Sequence, residues 1–175
     1  MSGDAAHRLF LALWPDDSLR ERLVTLQKRL APSVGGRAVI AENLHITLKF
    51  LGAVPRSRIR ELVDACRGLL FDPFSLTMNR IGFFPQPRVV WVGAEPVAES
   101  PATLIENIEA SLEAVGFARE RRRFRAHCTL FRKARMRPDF AFEPFQWPVS
   151  SWVLVESELS TGGPKYTIRE RFGAV

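Results

Sequence analysis

Asn43-Leu44-His45-Ile46-Thr47-Leu48-Lys49-Phe50-Leu51-Gly52 decides how this chain is read, because its β-branched and aromatic content predicts a strand that ends at Gly52. Side chains of a strand alternate between faces, so His45 and Thr47 are expected on one side and Leu44, Ile46, Leu48 and Phe50 on the other. The same pattern returns 82 positions later, with His127-Cys128-Thr129-Leu130 echoing His45-Ile46-Thr47-Leu48. Here His127 and Thr129 are expected on one face, with Ala126, Cys128 and Leu130 buried opposite. Each copy lies in a predicted strand and follows a predicted helix, so the repetition reaches the order of elements and the two halves look duplicated.

Outward from the first motif, Arg8 to Trp14 reads as a buried strand that stops at Pro15-Asp16-Asp17. A helix follows from Asp16 to Leu30, burying Leu19, Leu23, Leu26 and Leu30, and Pro32 with Gly35-Gly36 should end it. A short strand covers Arg37 to Ile40. After Gly52 a second helix starts near Pro55 and places Ile59, Leu62, Val63 and Cys66 on one face. Phe74–Phe84 and Val89–Val92 read as two strands divided by Pro85-Gln86-Pro87-Arg88. A third helix from about Pro101 carries Leu104, Ile105, Ile108, Leu112 and Val115 and closes at Gly116. The second motif lies within Phe124–Phe131, a Pro-bounded loop follows, and the last strands fall near Ser151–Leu159 and Tyr166–Phe172. Intermixed helices and strands give an α/β or α+β class.

With 175 residues the chain can bury one core without disulfides or a structural metal. The N-terminus lacks the features of a signal peptide and no apolar run is long enough for a bilayer span, which predicts a cytoplasmic protein. Cys66 and Cys128 form no C-x-x-C pair and read as core thiols. The 25 basic residues exceed the 19 acidic ones modestly, but their placement is uneven. Arg119, Arg121, Arg122, Arg123 and Arg125 precede His127, and Arg132, Lys133, Arg135 and Arg137 follow it, either as solvated surface or as a field for an anion.

If the halves pack about an approximate two-fold axis, two His-Thr pairs meet across one groove. One imidazole can then take a proton from attacking water while the other, protonated, gives one to a departing oxygen. The threonine hydroxyls can donate hydrogen bonds to nonbridging phosphate oxygens as charge builds up there. Such chemistry requires no metal or other cofactor. His7 has no comparable context and is expected at the surface near the chain end.

The chain resembles the two-histidine (2H) phosphoesterase superfamily, specifically the bacterial and archaeal RNA 2',3'-cyclic phosphodiesterases, also called 2'-5' RNA ligases. The likeness rests on both His-x-Thr-Leu motifs, Arg8-Leu9-Phe10-Leu11-Ala12-Leu13, Asn43-Leu44, Phe50-Leu51-Gly52, Pro87-Arg88-Val89-Val90-Trp91-Val92-Gly93, and Ser157-x-Leu159 through Tyr166. It implies an α+β fold, with two similar lobes whose antiparallel sheets flank a central cleft and whose helices lie outside. A single domain over residues 1–175 would then divide near 93, with terminal strands open to exchange between the lobes. The implied reaction converts a terminal 2',3'-cyclic phosphate of RNA to a 2'-phosphate. The resemblance makes His45 the proton donor and His127 the acceptor, which the symmetric motifs alone do not assign. Thr47 and Thr129 carry over as phosphate contacts, and Arg132 as a third unless it is only a rim residue. Ala126 replaces a common proline before the second histidine, and Phe131 a commonly smaller residue, which touches the shape of the pocket and its entry.

RNA with 2',3'-cyclic phosphate ends, tRNA fragments among them, is the expected partner, and a monomer the expected state. Phe10, Trp91 and Phe131 are candidate stacking surfaces for a base, with core packing the favoured role of Phe10 and Trp91; Tyr166 faces the same choice and stays outside the catalytic set. Other readings are a relative acting on 2'-5' oligonucleotides or a small cyclic nucleotide, an RNA-end binding module without turnover, and a zinc hydrolase. For the last, the chain offers no third ligand at recognisable spacing.

Overall fold

The computed structural model describes residues 5–96 and 99–173, the side chains of 99 and 100 excepted. In β1 (Ala6–Leu13), Leu9, Leu11 and Leu13 enter the main core while Phe10 and Ala12 turn to the opposite face, where they meet Val153 and Val155. The Asp16 carboxylate accepts from the Leu19 amide at 2.7 Å and caps α1 (Asp17–Val34), a contact worth about 1 kcal/mol. Leu19, Leu23, Leu26 and Leu30 are buried as their spacing predicts. The helix nevertheless runs through Pro32, because its last turn is held from outside: Val34 is buried, and its carbonyl accepts from Arg135 N at 2.9 Å.

The expected strand at 37–40 reduces to β2 (Arg37–Ala38), and a 3-10 turn at Ala41–Asn43 then leads into β3 (Ile46–Pro55). After α2 (Arg56–Arg67) come β4 (Phe74–Met78), β5 (Arg80–Phe84), β6 (Val89–Gly93), α3 (Glu99–Ala114) and β7 (His127–Arg132). The strand expected over 74–84 is thus divided at Asn79, whose amide donates to Gly93 O at 3.0 Å and whose side chain binds the Glu95 backbone. The Pro-bounded loop contains β8 (Phe145–Val149), where Phe145, Trp147 and Val149 are buried and Pro148 points outward. A hairpin of β9 (Ser151–Ser160) and β10 (Gly163–Gly173) completes the chain.

All strand pairing among the described residues is antiparallel. The main sheet has the order β10-β9-β1-β3-β7-β6-β5 with β2 beside β7, and β4 pairs β8 separately. A first wing, β10-β9-β1-β3, joins strands from the two ends of the chain, while the second, β7-β6-β5, comes from its middle. Among the described residues a single strand pair, Ile46 with Cys128, joins β3 of one wing to β7 of the other. On the helical side, α2 packs on β3, β10 and α3, and buried Gln27 of α1 donates to Leu130 O at 2.8 Å and Val39 O at 2.9 Å. Both cysteines are buried free thiols, and burial pushes each up to about 12. Among the described residues no helix is long and apolar enough to cross a membrane.

His7 does not sit free at the surface. It is half-buried, 2.5 Å from the Glu156 carboxylate, which is itself buried and also paired with Arg169. These groups lie on the helical side of the first wing, away from Phe10 and Ala12.

Candidate active site

The wings meet at Ile46 and Cys128, each the middle residue of a His-x-Thr motif. In antiparallel strands the neighbours of such a pair cross over, so His45 stands across from Thr129, and Thr47 from His127. Ile46 and Cys128 point into the core, and the four polar side chains, all half-buried, share the cleft face. Two motifs far apart in sequence thereby form one site with an approximate two-fold axis between its halves.

The histidines are held alike. His45 Nδ1 lies 2.7 Å from Asn43 O, and His127 Nδ1 lies 2.8 Å from Arg125 O, in each case the carbonyl two residues before. A carbonyl only accepts, so Nδ1 carries the hydrogen in both rings and Nε2 is left for the cleft. His45 Nε2 is 3.1 Å from Thr47 Oγ1. The Thr129 hydroxyl has no hydrogen-bond partner among the described residues.

The surroundings of the two rings differ. Trp14 stacks on His45 at 5.4 Å and 11°, Tyr166 meets it edge-on at 5.4 Å, and Phe10 lies 5.0 Å away. Burial lowers His45 to about 4 against its Asn43 hydrogen bond, and the positive charge of Arg132 and His127 adds to the effect. The Asn43 side chain donates to Pro164 O at 2.8 Å, tying the turn before His45 to the β9–β10 hairpin that supplies Tyr166. Around His127, Phe84 and Trp91 stand edge-on at 5.3 and 5.9 Å, and burial lowers this imidazole too. Trp91 fits because its neighbours are glycines: a Cβ on Gly82 would lie 2.1 Å from the indole, and one on Gly93 2.9 Å from it.

Both motif strands bulge at the residue three beyond the histidine. Against β1, Leu11 pairs Lys49 but Ala12 pairs Thr47, so Leu48 is extra; against β6, Val90 pairs Phe131 but Trp91 pairs Thr129, so Leu130 is extra. The alternation inverts beyond each bulge. Lys49 and Phe131 turn inward and are buried, while Phe50 and Arg132 come to the cleft face. Phe50 was expected inside and is instead 70% exposed. Arg132 borders the cleft with His45, Thr129, Asn43 and Tyr166, and its guanidinium has no ion-pair partner among the described residues.

The arginines flanking His127 divide by partner. Arg119 pairs with Glu106 and Glu113, and Arg122 with Glu120, on the protein surface. Arg123 and Arg125 line a cavity of about 340 Å³ with Trp91 and Glu95 beside the second motif. Phe10, Trp91 and Phe131 are all buried: the first two buttress the histidines, and none offers a face to a base. Trp14 and Phe84 are site residues that sequence reasoning missed; Asn43 entered only as part of a family pattern, and Tyr166 only as part of that pattern and as an aromatic open to stacking or packing. Among the described residues no group of three or more His, Cys, Asp or Glu side chains could hold a metal ion.

A family profile described as LigT-like phosphoesterase matches residues 13–91. The RNA 2',3'-cyclic phosphodiesterase of Archaeoglobus fulgidus is 35% identical over 91% of this chain and 96% of its own length. The enzyme of the same name from Escherichia coli K12 is 30% identical over 94% of the chain and 95% of its own length. Crystal structures of E. coli LigT superpose with a TM-score of 0.84 at 27% identity. The apo form covers 97% of this chain and 99% of LigT, and the complex with 3'-AMP covers 96% and 98%.

Proposed function

Since the chain belongs to the LigT-like phosphoesterases, and among them to the RNA 2',3'-cyclic phosphodiesterases, we propose that it opens the terminal 2',3'-cyclic phosphate of RNA with His45 and His127 as its proton-transfer pair. The observation that carries this reading is the Ile46–Cys128 pair, which sets each histidine opposite the other motif's threonine. A phosphate between them meets an Nε2 on either side. Water attacks phosphorus and passes a proton to His127; the bond from phosphorus to the 3' oxygen breaks, and His45 protonates that oxygen. The products are a 2'-phosphomonoester and a free 3'-hydroxyl. Thr47, Thr129 and Arg132 hold the nonbridging oxygens, where hydrogen bonds and charge are worth most in the transition state. No metal enters any of these steps.

Burial disfavours the charged form of His45, so its donor role depends on the substrate. An anionic phosphate beside Nε2 offsets the effect of Arg132 and favours the imidazolium. If the 5'-hydroxyl of a second RNA replaces water, the same two transfers join the ends through a 2'-5' bond, and their reversal cleaves it. Both motifs come from one chain, which supports a monomeric single domain as the active unit of this reading, acting on RNA fragments, those of tRNA included, in the cytoplasm.

The test is a set of alanine variants assayed on an oligonucleotide with a 2',3'-cyclic end. His45→Ala and His127→Ala should each lower kcat by at least about 100-fold. Thr47→Ala and Thr129→Ala should cost about 10- to 1,000-fold, chiefly in kcat. Full turnover in either histidine variant would remove the proton-relay reading, and threonine variants that alter only KM would remove the transition-state role.

A further inference from the structure

Arg132 has a second arginine beside it. β2 pairs with the end of β7 so that Arg37 lies directly opposite Arg132, and Ala38 opposite Phe131. Residues opposite each other on antiparallel strands share a face, which brings Arg37 to the cleft side with Arg132. Val39, two residues on and therefore on the same side, borders the cleft with His45 and Arg132. Two like charges set opposite each other repel, with Cβ atoms only about 5 Å apart. Both side chains are exposed, and neither has an ion-pair partner among the described residues.

Several contacts fix this opposition. α1 gives way to Gly35 and Gly36, at φ of 61° and 83°, and a Cβ on Gly36 would lie 2.7 Å from both Arg132 O and Lys133 O. The chain thus reaches Arg37 by passing against the backbone of Arg132. The buried Gln27 amide locks the register by donating to Val39 O and Leu130 O together, and Val39 N donates to Leu130 O at 2.9 Å. At the same end of the cleft, Arg88 precedes the strand that pairs with Arg132 and Lys133 follows Arg132; both are exposed and lack an ion-pair partner among the described residues. Their φ angles of 62° and 55° are uncommon outside glycine, and Ala134 N holds the turn by donating to Arg88 O at 3.0 Å.

The proposed reaction does not use these extra charges. A 2',3'-cyclic phosphate carries one negative charge, and Thr47, Thr129 and Arg132 already serve its nonbridging oxygens. RNA that ends in a cyclic phosphate has no nucleotide beyond it, so its next phosphate is the one on the 5' oxygen of the same terminal nucleotide. Two guanidiniums side by side suit two neighbouring phosphates of one strand.

We propose that Arg37 binds the 5'-phosphate of the terminal nucleotide, beside the cyclic phosphate held at Arg132, with Arg88 and Lys133 extending the positive field toward the rest of the strand. The enzyme then recognises the end of an RNA chain by two phosphates. The proposal rests on the assignment of RNA cyclic ends as substrate.

The experiment measures kcat/KM for adenosine 2',3'-cyclic phosphate, for the same nucleotide carrying a 5'-phosphate, and for a short oligonucleotide ending in 2',3'-cyclic phosphate, in the unmodified protein, Arg37→Gln and Arg37→Lys. The 5'-phosphate should raise kcat/KM in the unmodified protein, and Arg37→Gln should remove most of that gain, about 5- to 50-fold. Arg37→Gln should therefore lose more on the oligonucleotide than on the nucleotide without a 5'-phosphate. Binding of an unreactive, 3'-phosphate-ended oligonucleotide, followed by fluorescence anisotropy, gives a readout independent of turnover. Its salt dependence should flatten in Arg37→Gln by about 0.7 in the logarithmic slope, for one lost phosphate contact, and be kept in Arg37→Lys. A 5'-phosphate without effect in the unmodified protein, or an equal loss on all three substrates in Arg37→Gln, would overturn the second phosphate contact while leaving the catalytic reading intact. An unmodified protein inactive on all three would remove that reading, and the role of Arg37 with it.

Discussion

Each catalytic candidate has one ring nitrogen committed to the backbone and the other to the cleft. The bonds from Nδ1 to Asn43 O and Arg125 O hold the tautomer, and packing holds the ring planes. This arrangement has a consequence for pH. In the proposed mechanism proton donation needs His45 charged, yet burial lowers its pKa to about 4; acceptance needs His127 neutral, and its pKa is lowered as well. The pH dependence of kcat/KM reports the free enzyme, so its maximum should lie on the acid side of neutrality. The productive form is lost below by protonation of one imidazole and above by deprotonation of the other, in two steps that belong to the pair. The kcat profile, which reports the bound state, should lie at higher pH because the phosphate anion favours the imidazolium. Parallel profiles of both constants check this, and a kcat/KM maximum well above pH 7 would contradict it. The two histidines and two threonines were legible in the sequence because the motif is repeated and strand alternation is local. Trp14 and Tyr166 were not assigned to the site, because they reach His45 from the residue after β1 and from β10 through pairing that nothing local encodes.

At the level of elements, the bulges at Leu48 and Leu130 separate what alternation predicts from what forms. A strict two-residue period puts Phe50 inside; one extra residue turns it out and sends Lys49 inward. Lys49 has a destination: its ammonium lies 2.6 Å from Glu109 of α3 and 2.8 Å from Ala118 O, and Glu109 also accepts from the Glu120 amide at 3.1 Å. One buried ion pair therefore ties the first motif strand to α3 and to the segment leading into the arginines before His127. Glu109→Ala, leaving the ammonium buried without its counter-charge, should cost about 3–5 kcal/mol in urea unfolding. The double variant Lys49→Met with Glu109→Leu, which removes both charges and keeps the volume, should recover most of that loss. A Glu109→Ala variant as stable as the unmodified protein would show that the pair holds nothing. The apolar faces of α1 and α2 were readable from their spacing, but β8 was hidden by Pro148, which an outward position on a strand of a two-stranded sheet tolerates.

Across the whole molecule, the site exists because the chain returns on itself. The two ends of the sequence build the wing that carries the first motif, the middle builds the wing that carries the second, and among the described residues a single pair joins β3 to β7. The duplication that made the fold class readable is broken around the cleft: Arg132 stands against Phe50, and the aromatic box of His45 against the pair of rings at His127. Equivalent frames with unequal walls are what a reaction with distinct acid and base demands. The net charge of +6 suits an anionic chain, though two of the arginines before His127, Arg119 and Arg122, pair with surface glutamates. The most direct test of the central claim is to incubate the protein and an oligonucleotide ending in 2',3'-cyclic phosphate with excess chelator, and to separate the product against 2'- and 3'-phosphate standards. A 2'-phosphate, formed at a rate the chelator does not change, is the expected result; a 3'-phosphate, or activity that disappears with the chelator, would contradict the account.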